Sequence, residues 1–135
     1  MKATVMDSYA LIIFLERQEG YSEVARLLEE CGKKDRELFL CIINWGEIIY
    51  HALRKKGEAA AKLTEDGIHA LPIQLVEANK ELTWQAARLK AFNKMSYADC
   101  FAAALAIRKK CELVTGDPEF KQVASEVKIH WLNGN

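Results

Sequence analysis

The sequence predicts an α/β protein with three layers, α/β/α, built on a mostly parallel central sheet. Two observations predict this fold class. Short apolar runs alternate with longer segments of helical periodicity along the chain. Most of these runs are also too apolar to leave one strand face in water, which is typical of parallel strands covered by helices on both sides. Because one core suffices for 135 residues, we expect a single domain over residues 1–135.

The first half of the chain is predicted to form two strands and four helices. The run ATVM ends at Asp7, and the run LFLCII is a second buried strand. Asn44 is a suitable N-cap for the helix that follows LFLCII, and Gly32 and Gly57 are helix stop signals. The predicted elements are strand 3–6, helix 9–18, helix 21–31, strand 38–43, helix 44–56 and helix 58–70.

The second half contains three further strands. Leu71-Pro72 ends the preceding helix, and IQLV follows as a short strand. Two long helices come next, of which the second is rich in alanine. Gly116-Asp117-Pro118 then turns the chain into a short helix. The predicted elements are strand 73–76, helix 79–93, helix 96–110, strand 112–115, a short helix after Pro118 and strand 128–132.

Four acidic residues stand at or near predicted helix starts. Asp7 and Asp117 follow strands directly, whereas Glu47 and Asp99 each lie three residues after a capping residue type, Asn44 and Ser96 respectively. Taken singly, each acid is explained by helix capping or by the helix dipole. Each has therefore a purely structural explanation.

Taken together, the four acids suggest a metal site. The carboxyl ends of parallel strands share one edge of a sheet, where ligands bind, so Asp7, Glu47 and Asp117 should lie along it. Asp99 joins them only if its helix begins at the same edge. Converging carboxylates repel one another, and Mg²⁺ or Mn²⁺ would relieve that repulsion with the oxygen ligands these ions prefer. Such a site suits phosphodiester hydrolysis.

Composition and motifs exclude several other classes. Nineteen Lys and Arg balance nineteen Asp and Glu, which argues against a strongly basic nucleic-acid binder. The chain has no C-x-x-C zinc pattern, Walker loop, G-x-G-x-x-G or G-x-S-x-G. The longest N-terminal apolar run, 10–15, is too short for a signal or a membrane span, so we expect a cytoplasmic protein without membrane attachment.

At this point the chain resembles the PIN-domain ribonucleases, and among them the toxins of the VapC type. The resemblance covers roughly residues 3–132 and depends on the order and spacing of short motifs. The matching segments are VMDSYALIIFL with Asp7, INWGEIIYHALRKKG with Glu47, SYADCFAAALAIRKK with Asp99, and ELVTGDPEFKQV with Asp117.

The resemblance implies an activity and a set of site residues. The four acids would form the catalytic centre by binding one or two Mg²⁺ or Mn²⁺ ions, and Ser8 and Thr115 would orient carboxylates or waters as a second shell. Tyr9 departs from the family, in which a small polar residue is common at this position. The implied reaction is attack of water on an RNA phosphodiester. Since water needs no 2′-hydroxyl, we expect products with 5′-phosphate and 3′-hydroxyl ends.

The resemblance also implies protein partners: a second copy of the chain in a homodimer, and a small antitoxin that covers the acidic edge. The apolar run over 11–15 is explained either by the core or by such a partner surface. Most basic clusters lie at helix ends opposite the acids. Arg88 and Lys90 are less tied to a helix end and are the candidate RNA contacts.

Three other interpretations remain open. One keeps the fold and the metals but changes the substrate to DNA or structured RNA. Another is a non-catalytic interaction domain, in which the acids are only caps. A phosphoacceptor receiver domain is less consistent with the sequence, because strand 73–76 is followed by Glu77 rather than an aspartate, and no lysine follows strand 112–115 directly.

Overall fold

The computed structural model describes residues 1–132 of the chain, and residues 133–135 of the predicted domain lie outside the described residues. The helices and strands follow one another in the predicted order. Within residues 1–132, no helix is long and apolar enough to cross a membrane. The elements are β1 (Lys2–Met6), α1 (Ser8–Leu15), α2 (Tyr21–Gly32), β2 (Arg36–Cys41), α3 (Ile42–Lys56), α4 (Glu58–His69), β3 (Ile73–Val76), α5 (Lys80–Phe92), α6 (Tyr97–Lys109), β4 (Glu112–Thr115), a 3₁₀ helix (Pro118–Val123) and β5 (Ile129–Trp131).

The five strands form one sheet in the order β3-β2-β1-β4-β5, and every neighbouring pair is parallel. This confirms the predicted fold class, with a sheet that is wholly parallel. The chain builds outwards from β1 through β2 to β3, and then crosses back to add β4 on the other side of β1. The carboxyl ends of β1 and β4 therefore flank the switch point, where open parallel sheets bind ligands.

The two faces of the sheet support separate cores, which accounts for the three layers. Successive strand residues point to opposite faces, so Val5 packs with α5 and α6 while Met6 packs with α1 and α2. Phe39 and Leu40 divide in the same way on β2. Apolar side chains cover both faces, which is why the strands carry few polar residues.

The apolar run in α1 belongs to the core. Leu11 and Ile13 are buried, and Ile12, Phe14 and Leu15 pack against the same cluster from its margin. The Phe14 ring also stacks on the Tyr21 ring of α2, with centroids 5.2 Å apart. Core packing therefore accounts for the whole run, and the alternative of a partner surface is not needed to explain it.

The helix predicted over 9–18 ends at Leu15, and the boundary between the second strand and the next helix is also wrong. The strand expected over 38–43 ends at Cys41, and α3 begins at Ile42, so Asn44 lies within the first helical turn and is not the N-cap. Cys41 occupies the cap position and makes no side-chain capping hydrogen bond. A continuous apolar run has no periodicity that could separate the end of a buried strand from the start of a buried helix.

A buried arginine holds together the amino edge of the sheet, opposite the four acids. Arg36, at the start of β2, is 5% exposed. Its guanidinium donates to Thr4 Oγ1 at 2.6 Å and pairs with Glu112 at 3.2 Å and Glu30 at 2.9 Å. These contacts tie β1, β2, β4 and α2 together. A buried charge of this kind depends on its partners.

We expect Arg36→Met to lower the free energy of unfolding by about 2 kcal/mol or more, because it removes the donor to the buried Thr4 hydroxyl and leaves Glu112 without its cationic partner. Arg26→Met is the matched control, since Arg26 pairs with the same Glu30 but from an exposed position. Urea unfolding followed by circular dichroism would measure both. Equal effects of the two substitutions would show that burial of Arg36 contributes nothing.

Candidate active site

Asp7 lies at the switch point directly after β1 and is 1% exposed. Its Oδ1 accepts a hydrogen bond from the Ala10 backbone N at 2.9 Å, which caps α1. Its Oδ2 accepts from Thr115 Oγ1 at 2.5 Å. Burial raises the pKa of Asp7 to about 7, and the charges of Asp99 and Asp117 add to this, although the two hydrogen bonds act in the opposite direction.

Thr115 connects the two strands that flank the switch point. It ends β4, is fully buried, and donates to Asp7 while accepting from the Asp117 backbone N at 3.0 Å. Asp117 caps the 3₁₀ helix, because its Oδ1 accepts from the Glu119 backbone N at 2.9 Å. The hydroxyl therefore positions the side chain of one acid and the backbone of another.

Glu47 reaches the same region from α3. Its Oε1 accepts hydrogen bonds from Ser8 Oγ at 2.8 Å and from Asn44 Nδ2 at 3.2 Å. Within residues 1–132, Glu47 Oε2 takes part in no hydrogen bond. The carboxylate is thus held by one oxygen and presents the other.

The positions of the strands alone do not predict where Asp99 lies, because it does not follow a strand directly. Ser96 caps α6 by accepting from the Asp99 backbone N at 3.1 Å, and α6 packs against β1, β2 and β4. The pKa of Asp99 is raised to about 7, mainly by burial. The charges of Asp117 and Glu47 also raise it, whereas the hydrogen bond with the Ser96 side chain lowers it. The charges of three of the predicted acids, Glu47, Asp99 and Asp117, therefore act on Asp7 or on Asp99.

Sequence reasoning missed two residues here. Glu119 also raises the pKa of Asp99 through its charge. Its position two residues after Asp117, in a tight turn, is the sequence feature that could have indicated that it lies near the acids. Asn44 is fully buried, and its Nδ2 donates both to Glu47 and to the Ala98 backbone O at 3.1 Å. The three-residue spacing between Asn44 and Glu47 fits a capping box, in which the two side chains would bond to the helix backbone. The structure shows a side-chain contact with that same glutamate.

The residues fit a hydrated divalent cation better than a closed cage. Among residues 1–132, no three Asp, Glu, His or Cys side chains are arranged to hold a metal ion together. Mg²⁺, however, is usually bound through one or two carboxylates and keeps several waters. The donor set consists of oxygens, and Asn44 Oδ1 is a buried acceptor without a hydrogen-bond partner in the described part of the chain. An unpaired buried acceptor costs about 1–3 kcal/mol, which a donor entering the site would recover.

Tyr9 covers the backbone at the mouth of the site. Its ring lies so close to Gly116 that a Cβ on this glycine would be 2.5 Å from Tyr9 Cε1. Gly116 separates Thr115 from Asp117, and Tyr9 is 40% exposed. The glycine therefore allows the large Tyr9 ring to pack against the backbone between Thr115 and Asp117.

The candidate RNA contacts lie on α5, outside the acidic cluster. Arg88 pairs with Glu126 at 2.9 Å, and Lys90 Nζ donates to the Met95 backbone O at 2.7 Å. Met95 immediately precedes the cap of α6, so Lys90 is the nearer of the two to the start of that helix. Each side chain thus has a protein partner, and their role in RNA binding remains a prediction.

Acidic side chains at the switch point of a parallel sheet define an α/β protein with a candidate ligand site at the carboxyl edge of its strands. The chain belongs to the PIN-domain family, since a sequence model of the PIN domain matches residues 4–126. PIN domains are nucleases, which hydrolyse phosphodiester bonds. No curated protein matches the chain significantly.

Solved structures share the fold at low sequence identity. VapBC from Salmonella typhimurium, solved bound to DNA, has a TM-score of 0.77 and 16% identity, over 96% of this chain and 98% of that one. VapBC2 from Rickettsia felis, bound to a promoter fragment, has a TM-score of 0.76 and 15% identity, over 97% and 99%. VapC20 from Mycobacterium tuberculosis, a sarcin–ricin loop cleaving toxin, has a TM-score of 0.73 and 15% identity, over 94% and 98%.

The raised pKa of Asp7 predicts how the stability of the metal-free protein depends on pH. Because the folded state holds this proton more tightly than the unfolded chain, stability falls as pH rises from about 4 to about 7. Asp7→Asn removes this titration. We therefore expect the variant to melt several degrees above the native protein at about pH 8, each kcal/mol being about 4 °C, and the gap to close towards pH 5.

Thermal melts in the presence of a chelator would test this. Asp66→Asn removes one negative charge from an exposed position on α4 and is the matched control. A variant at Asp7 that is less stable than the native protein across the whole pH range would contradict the prediction.

Proposed function

We propose that this chain is a Mg²⁺- or Mn²⁺-dependent endoribonuclease, and the toxin of a type II toxin–antitoxin pair. The observation that carries the proposal is the buried Asp7 at the switch point of the sheet, on which the charges of Asp99 and Asp117 act, while the charge of Glu47 acts on Asp99. Membership of the PIN-domain family supports phosphodiester hydrolysis, and the RNA-cleaving toxin with a similar fold supports RNA as substrate. We further propose a single PIN-like domain over residues 1–135 and a cytoplasmic location, where its RNA would be found.

The four acids would hold the ions, directly or through water. When bound, Mg²⁺ or Mn²⁺ lowers the pKa of a coordinated water and stabilises negative charge on a phosphoryl oxygen. Thr115 keeps the Asp7 carboxylate in place, and Ser8 does the same for Glu47. Such outer contacts commonly set the orientation of metal-binding carboxylates.

The electrostatics of the cluster support a role for a cation. Asp7 and Asp99 both have pKa values raised to about 7, with burial as the main cause and neighbouring acids adding to it. A cation at the site would favour the ionised carboxylates and reduce their repulsion of an RNA phosphate. Without one, the same side chains would repel the substrate.

We expect Asp99→Asn to reduce metal-dependent RNA cleavage by about 100-fold or more while the protein stays folded, since one carboxylate of the site is lost. Asp66→Asn, an exposed substitution of the same type on α4, should leave cleavage unchanged. Matched RNA and DNA oligonucleotides with Mg²⁺, Mn²⁺ or chelator provide the assay.

The product ends should be 5′-phosphate and 3′-hydroxyl, as attack by water requires. Cyclic 2′,3′-phosphate products would overturn the mechanism. Preferential cleavage of DNA would favour the alternative, a PIN-like nuclease outside a toxin pair. A native protein that cleaves neither substrate, with or without metal ions, would favour the non-catalytic interaction domain.

The proposed partners are a second copy of the chain and a small antitoxin. The similar structures from Salmonella typhimurium and Rickettsia felis are VapBC complexes, which supports an antitoxin for this chain as well. For the homodimer, light scattering of the purified protein should give twice the chain mass of 15.3 kDa. For the antitoxin, the product of a short adjacent reading frame should co-purify with the chain and suppress its cleavage of RNA.

A mass equal to one chain at micromolar concentration would rule out the stable homodimer. An adjacent product that neither binds nor inhibits would remove the support for a toxin role, while leaving the nuclease proposal untouched.

A further inference from the structure

Asn44 lies where the acid-bearing ends of two helices meet. It is in the first turn of α3, three residues before Glu47, and is fully buried. Its Nδ2 donates to Glu47 Oε1 at 3.2 Å and, across the gap between helices, to the backbone O of Ala98 at 3.1 Å. Ala98 is the residue before Asp99. One amide group therefore contacts one acid directly and the backbone next to another.

The orientation of this carboxamide is fixed by its partners. A carboxylate and a backbone carbonyl can only accept hydrogen bonds, so both must face the nitrogen of the Asn44 side chain. The oxygen is then the end without a partner, and within residues 1–132 Oδ1 indeed has none. Buried side-chain oxygens without a partner are rare in folded proteins. This side chain therefore does more than fill space in the core.

Two donors act on the same oxygen of Glu47. Ser8, from α1, and Asn44, from α3, both donate to Oε1. An oxygen that accepts two hydrogen bonds is held from two directions, which restricts rotation of the carboxylate. Oε2 is then the oxygen that remains for a ligand.

We propose that Asn44 is a positioning residue of the acidic site, which orients the Glu47 carboxylate so that Oε2 is available to a divalent cation. This inference rests on the proposed metal-dependent function and adds to it a residue that is not itself an acid. Helix capping does not account for Asn44, because Cys41 occupies the cap position of α3. Asn44 Oδ1 has no hydrogen-bond partner among residues 1–132, so the amide is held through its nitrogen alone, the atom that contacts Glu47.

A double-mutant cycle with Mn²⁺ as the probe tests the proposal without relying on cleavage. The four proteins are the native chain, Asn44→Leu, Glu47→Gln and the double variant. Leucine has nearly the shape of asparagine but neither donates nor accepts. Mn²⁺ affinity is measured by titration calorimetry, and the melting temperature of each metal-free protein is recorded alongside.

We expect Asn44→Leu to weaken Mn²⁺ binding by about tenfold or more, as loss of an outer-sphere partner commonly does. In the Glu47→Gln background the same substitution should change affinity by less than about threefold, because its effect passes through the carboxylate. Equal effects in both backgrounds, or unchanged affinity in the first, would overturn the inference.

Two further variants guard against a purely structural explanation. Asn79→Leu makes the same chemical change at the N-cap of α5, where Asn79 accepts from the Leu82 backbone N at 2.9 Å. It should lower the melting temperature and leave Mn²⁺ affinity unchanged. Asn44→Thr retains a hydroxyl that can donate one hydrogen bond, so its affinity should fall between those of the native chain and Asn44→Leu. If Asn44→Leu does not fold, the cycle is completed with the threonine variant.

The outcomes separate this inference from the proposed function. A native protein that binds no Mn²⁺ would overturn both. A native protein that binds Mn²⁺, with Asn44 variants that bind it equally well, would leave the proposed function standing and overturn only the role of Asn44.

Discussion

The hydrogen bond from Thr115 to Asp7 joins the two strands between which the sheet changes its direction of growth. Parallel pairing brings the carboxyl ends of β1 and β4 side by side, but it leaves their side chains free to separate. Repulsion between Asp7, Asp99 and Asp117 would favour that separation. The buried hydroxyl opposes it by bonding to Asp7 and to the Asp117 backbone at once. The other contacts of the acidic edge build on this pair of strands.

Helix capping and the proposed metal binding are compatible functions of the same acids. Asp7 uses Oδ1 to cap α1 and Asp117 uses Oδ1 to cap the 3₁₀ helix. Each carboxylate is thereby held in one orientation, and the second oxygen of Asp7 accepts from Thr115 in addition. Glu47 reaches the same result without capping, through Ser8 and Asn44. Helix capping and metal binding, the two explanations that compete when only the sequence is known, are therefore compatible with one arrangement of these side chains.

The sequence predicts the part of this site that follows from strand pairing. Asp7 and Asp117 come directly after strands, so a parallel sheet is enough to place them together. Asp99 depends on where α6 begins, and this is set by its packing against β1, β2 and β4. Asn44 was assigned to the wrong position because LFLCII has no periodicity that marks the change from strand to helix. The Arg36 network escaped prediction for a similar reason, since its partners come from distant parts of the chain.

The balance of nineteen basic and nineteen acidic residues takes on a local meaning in the structure. Several basic side chains are engaged far from the acids: Arg36 at the amino edge, Arg108 with Glu81, and Arg88 with Glu126. The acids, in contrast, act on one another at the opposite edge, where neighbouring acidic charges add to the raised pKa values of Asp7 and Asp99. An RNA phosphate approaching that edge meets like charge. Under the proposed function, the cluster therefore has to be neutralised by a cation before RNA can bind productively, which makes the ion part of substrate recognition as well as of the chemistry.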